Sequence, residues 1–170
     1  MRFKRYLEAG RVPASLLMGL WLLAGCGAQV PNSTVATGLT LDCQTFQSQV
    51  AGVGVNRIFD LNISGNTCSA SNCHSISANP PSPGKRFKIY PNALPNSPEM
   101  ATNYNNVVAN FATNYSNPVD NLILRKPLSS SQPNSDGHGG GDIFPNASDP
   151  NYVTILAWIS NPVPRPSTCP

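Results

Sequence analysis

The chain has 170 residues, 17 of them proline and 13 glycine, and a formal net charge of +3. That length fits one domain. Charged residues make up only 11%, which excludes a charge-driven disordered chain and the basic stripe of a nucleic-acid-binding protein, while five cysteines, an odd number, leave at least one with a fate other than an internal disulfide.

Residues 1–25 carry Arg2, Lys4, Arg5 and Arg11, then an apolar run from Ala14 to Ala24 that is too short to span a bilayer comfortably. A basic start followed by a short apolar run is the pattern of an export signal. Leu23-Ala24-Gly25-Cys26 resembles the bacterial lipobox. The resemblance implies cleavage before Cys26, a lipid on that residue and, because Gly27 rather than Asp follows, delivery to the outer membrane. An ordinary signal peptide, or an uncleaved anchor with a buried Cys26, is the alternative. Removing this segment leaves seven basic against seven acidic side chains, so the overall basicity says nothing about an acidic partner.

Residues 26–42 are small and polar and read as a lipidated tether. Residues 43–170 read as a single domain, mainly α, a small helical fold wrapped by long Pro-, Gly-, Ser- and Asn-rich loops. A first helix is expected near 47–62, with Val53, Ile58, Phe59 and Leu61 apolar and two glycines weakening its start. A second is expected near 98–113, where Pro98 suits a first turn and Tyr104, Val107, Val108 and Phe111 share a face. A third is expected near 149–160, with Asp149 as N-cap, Pro150 behind it, Tyr152, Ile155, Leu156 and Ile159 on one face, widened by Trp158, and Pro162 as the stop. The connectors at 79–97 and 128–148 are long enough to wrap something or to carry function. Alternation of Val, Ile and Thr is sparse, so no sheet is expected.

The chemistry concentrates at Cys68-Ser69-Ala70-Ser71-Asn72-Cys73-His74. A c-type haem is held by two cysteine thioethers and by the imidazole beside the second cysteine, usually with two residues between the cysteines. Here there are four, a gap that a loop can bridge by bulging outward. The chain has only two histidines, and one of them falls immediately after this cysteine pair. Three other readings stay open: a local Cys68–Cys73 disulfide, a zinc site from Cys68, Cys73, His74 and His138, and free buried thiols. An oxidising compartment disfavours the last two.

Downstream run Leu122-Ile123-Leu124-Arg125-Lys126-Pro127, then His138-Gly139-Gly140-Gly141, then Ala157-Trp158-Ile159. In this order and spacing the chain resembles exported bacterial cytochrome-c-like domains over roughly residues 53–160, the wider cysteine gap being the one departure. The resemblance implies a small cytochrome-c-like helical fold and one covalent haem c, with His74 as the proximal iron ligand. For the sixth position His138 is preferred over Met100 or an open site, since its glycines let backbone pass close to a macrocycle. Leu122 and Leu124 are expected in the core or beside the haem. Arg125, Lys126 and the cluster Lys85, Arg86 and Lys88 are either solvated or paired with haem propionates. Asn62, Asn114 and Asn146 open glycosylation sequons that carry no meaning in a bacterium. Cys43 and Cys169 then remain, one at each end of the domain, and suit a closing disulfide. The function expected is a membrane-tethered single-electron carrier, not an enzyme, that meets redox partner proteins. A haem enzyme or gas sensor with an exchangeable sixth ligand, and a haem-free envelope lipoprotein, are the alternatives.

Overall fold

The computed structural model of the chain describes residues 38–76 and 86–164. The export segment, Cys26, Lys85 and Cys169 lie outside them. Contacts divide the chain into two units, Met1–Ala36 and Thr37–Pro170, and all described residues belong to the second.

The elements run β1 (Leu39–Thr40), α1 (Cys43–Gln47), α2 (Val55–Ile58), α3 (Pro98–Asn110), a 3₁₀ turn (Pro118–Asp120), α4 (Leu122–Arg125), α5 (Pro150–Ser160) and β2 (Val163–Pro164). The two longest helices start where side chains satisfy the free N–H groups of a first turn. Ser97 Oγ accepts from Met100 N before Pro98, and Asp149 Oδ1 accepts from Asn151 N and Tyr152 N around Pro150.

Of the helix expected near 47–62 only the short α2 forms; α1 ends at the first residue of that span, Gln47, and turns at 48–54 join the two. A β-carbon on Gly54 would lie 1.7 Å from the carbonyl oxygen of Ser48, so the chain doubles back on itself there and only glycine fits. Val53, expected on the apolar face of that helix, is 43% exposed in the turn. The tether also ends earlier than its composition suggests. Leu41 and Thr40 are buried, and β1 pairs antiparallel with β2, Leu39 opposite Pro164 and Thr40 opposite Val163, a two-residue ladder where no sheet was expected.

The core is aromatic at its centre. Phe46 of α1 meets Tyr104 of α3 edge-on and Trp158 of α5 at a tilt, both with ring centroids 5.4 Å apart. Trp158 Nε1 donates to Asp42 O at 2.8 Å, and Tyr104 Oη donates to Leu41 O at 2.5 Å, so α3 and α5 both grip the segment leading into α1. Asn103 is fully buried on α3 and satisfied on both sides. Its amide donates to Asn56 Oδ1 and Tyr90 O and accepts from Tyr90 N, which pins the 87–90 segment against α2 and α3. Cys43 is buried and disulfide-bonded.

Candidate functional site

The Cys68–His74 segment winds tightly on itself. Cys73 N donates to Ala70 O, and His74 N donates back to Cys68 O at 3.1 Å, which returns the end of the loop to its start. The next residues run beside 87–89 as a parallel bridge between Ser75 and Ile89, with Ile89 N donating to His74 O. His74 Nδ1 donates to Phe87 O at 2.8 Å, and its ring sits edge-on to Phe87 with centroids 4.9 Å apart. Burial first, then the His138 and Lys88 charges, pull the His74 imidazole below its ordinary pKa, against the Phe87 carbonyl, which raises it. The ring is therefore neutral, with its proton on Nδ1 and a lone pair on Nε2.

His138 comes from the opposite side, on the glycine-rich loop after α4. Its Nδ1 donates to Gly141 O at 3.1 Å, which turns its Nε2 toward His74. A β-carbon on Gly140 would sit 3.0 Å from His138 Cε1, so a bare backbone makes room for the ring. The two Nε2 atoms are 3.4 Å apart while the ring centroids are 5.7 Å apart, so the imidazoles meet tip to tip rather than face to face. With each Nδ1 donating to a carbonyl, the two Nε2 atoms point at each other at hydrogen-bond distance. Where neither carries a proton, the pair can hold an electrophile between them. A metal held by both would need the tips about 4 Å apart, twice a metal–imidazole bond of about 2 Å, a parting of roughly half an ångström.

Around them is a cleft of about 290 Å³, walled by Phe59, Phe87, Phe111, Ile123, Ile143, Phe144 and Ile155, with Leu122 and Pro127 beside them. Phe87 packs edge-on to both Phe59 and Phe111. Cys68 lines the same cleft, and Cys68 and Cys73 are both free thiols. Burial, then the neighbouring Cys73 charge and Asp60, push the Cys68 thiol up to about 12, against a backbone hydrogen bond that lowers it, so it stays protonated at neutral pH. Arg86 and Lys126 bring positive charge to the lining.

No family model, curated protein or solved structure matches the chain. The site is thus read from its own geometry. Of the residues expected in it, Cys68, His74 and His138 share the cleft, and Cys73 adjoins His74 in the same loop. Met100 does not join them: it is 1% exposed, packed in the core at the first turn of α3 and absent from the cleft wall. Leu122 faces the cleft and Leu124 is fully buried in the core. Arg125 pairs with Asp136 instead of reaching the cleft. Cys68, Cys73, His74 and His138 do not assemble as a zinc site, since no group of three or more His, Cys, Asp or Glu suited to a metal ion forms among the described residues. Sequence reasoning missed Phe87, Ile143 and Phe144 as cleft walls. The apolar residues at 87 and 89, alternating with Lys88, were the available signal for Phe87.

Proposed function

We propose that this chain is a c-type cytochrome that carries single electrons through one covalently attached haem. The observation that carries the reading is the tip-to-tip pair of imidazoles, His74 and His138, in an apolar cleft beside two free thiols. The donor set fits the group. A four-coordinate zinc would need Cys68 and Cys73 to join the two imidazoles, and among the described residues no group of three or more such side chains comes together; two imidazoles alone suit an iron whose remaining ligands come from a macrocycle. Apolar walls suit the macrocycle faces, and Arg86 and Lys126 suit its carboxylates.

In this reading Cys68 and Cys73 would hold the haem through their sulfurs, and Nε2 of His74 and Nε2 of His138 would be the protein ligands to its iron. When bound, the haem supplies a one-electron ferric/ferrous couple. The Phe87 and Gly141 carbonyls hold each ring in one tautomer and one orientation, so both oxidation states meet the same ligands. The phenylalanine wall excludes water. Two histidine ligands give a lower potential than a histidine–methionine pair. The chain is exported and anchored by lipid at Cys26, with the outer membrane as its place, and its partners are redox proteins met through small, weak contacts. Among the described residues no helix is long and apolar enough to cross a membrane.

The test is expression in a host with haem-attachment machinery. The expected product is red, with a six-coordinate low-spin spectrum in both oxidation states and a haem adduct on the peptide containing Cys68 and Cys73. Colourless protein with an unmodified or disulfide-bridged peptide overturns the proposal.

A further inference from the structure

We infer that Arg125 and Asp136 are positioning residues that keep His138 over the cleft; the inference rests on the haem reading above. His138 sits in a loop whose backbone turns at Gly137 and Gly141, both with positive φ (66° and 91°), a conformation that favours glycine. Its own Nδ1 bond to Gly141 O is internal to the loop and ties it to nothing outside. What fastens it lies on either side. Asp136, two residues before His138, accepts from Arg125 Nη2 at 2.5 Å and donates its backbone N–H to Arg125 O at 3.2 Å. Lys126 Nζ adds a long contact to Gly137 O at 3.5 Å, and Ser135 Oγ donates to Leu128 O. Asp142, four residues after His138, accepts from Ser129 Oγ and Ser130 N.

The loop is thus strapped at both ends to one short stretch, 125–130, that follows α4. The two ends are not equal. Behind Asp142, Ile143 N and Phe144 N both donate to Pro127 O, and Ile143 and Phe144 are buried, so that end stays fixed without the Asp142 side chain. Ahead of His138 the residues are polar and the ion pair is the strongest tie. The Arg125 and Asp136 side chains are 33% and 24% exposed, more covered than an ordinary surface pair. Arg125 Nε is buried with no hydrogen-bond partner, so the guanidinium depends on Asp136 for its place. Losing the Asp136 carboxylate leaves that end held only by the Asp136 N–Arg125 O, Ser135–Leu128 and Lys126–Gly137 bonds, a looser tether that lets His138 leave the cleft more often and would let a small ligand take its place.

The experiment compares haem-loaded wild type with Asp136→Ala and with the exchanged pair R125D/D136R. Wild type is expected to be low-spin and slow to bind carbon monoxide when reduced. Asp136→Ala is expected to gain a high-spin ferric fraction and to bind carbon monoxide about tenfold faster, the scale of losing a charge-assisted hydrogen bond. The exchanged pair should recover most of the wild-type behaviour. A wild type without attached haem overturns the haem reading, and this inference with it. A low-spin wild type with an indistinguishable Asp136→Ala overturns this inference alone. Asp136→Asn, which keeps the shape and drops the charge, gives the same two readings if the alanine variant does not accumulate.

Discussion

His74 and His138 each donate Nδ1–H to a backbone carbonyl, and that pair of bonds decides what their other nitrogens can do. The resemblance implied both rings at one site, but their orientation was not legible from the sequence, because the carbonyls that fix it come from Phe87, 13 residues away, and from the turn at Gly141. The motif Cys-x4-Cys-His was visible; the tautomers it needs were not. Asp42 shows the same logic with a carboxylate. Burial pushes its carboxyl up, but hydrogen bonds from Thr45 Oγ1, Thr45 N and Gln44 N together outweigh burial and hold it below the ordinary aspartate value. A carboxyl with a lower pKa when folded adds stability that is complete above its unfolded value and is lost as pH falls through the folded one. Wild type is therefore expected to lose stability below about pH 4, the usual aspartate range, more steeply than Asp42→Asn. Urea midpoints between pH 2.5 and 6 check this; equal slopes for the two proteins would count against it.

At the scale of elements, α3 and α5 were legible because each opens on a cap followed by proline, Ser97-Pro98 and Asp149-Pro150, and each carries apolar residues at helical spacing. The first helix was not. Val53, Ile58, Phe59 and Leu61 make the span apolar, but Gly54 lies against Ser48 and the chain reverses inside it. Gly54→Ala is expected to cost about 1–3 kcal/mol, the range for forced overpacking, and to loosen α1 and α2 together. A fall in the urea midpoint with an unchanged slope is the expected record; an alanine variant as stable as wild type would mean that the turn can move aside. The strap between 125–130 and 136–144 belongs to the same scale. Its parallel bridge from Leu128 to Phe144 joins segments that composition alone marks as loop.

Over the whole molecule, the ends of the fold are tied through its centre. Trp158 reaches from the last helix to Asp42 O, and β1 lies along β2. Trp158→Phe keeps an aromatic ring beside Phe46 but removes one of the two donors to Asp42 O, leaving the bond from Phe46 N. The expected loss is about 0.5–1.5 kcal/mol for one hydrogen bond, measured by denaturant unfolding. A variant within a few tenths of a kcal/mol of wild type would show that water replaces the indole. The aromatic centre was legible as apolar positions but not as a cluster, since Phe46, Tyr104 and Trp158 stand more than 50 residues apart in the chain.

The pairing of Leu39 with Pro164 sets the two ends of the described chain one strand spacing apart, about 5 Å. A domain with adjacent entry and exit can be spliced into a surface loop of an unrelated protein, or cut open elsewhere and rejoined by a few residues, without bending its core. It can equally be strung in series, each copy hanging from the connecting chain like a bead on a short stem.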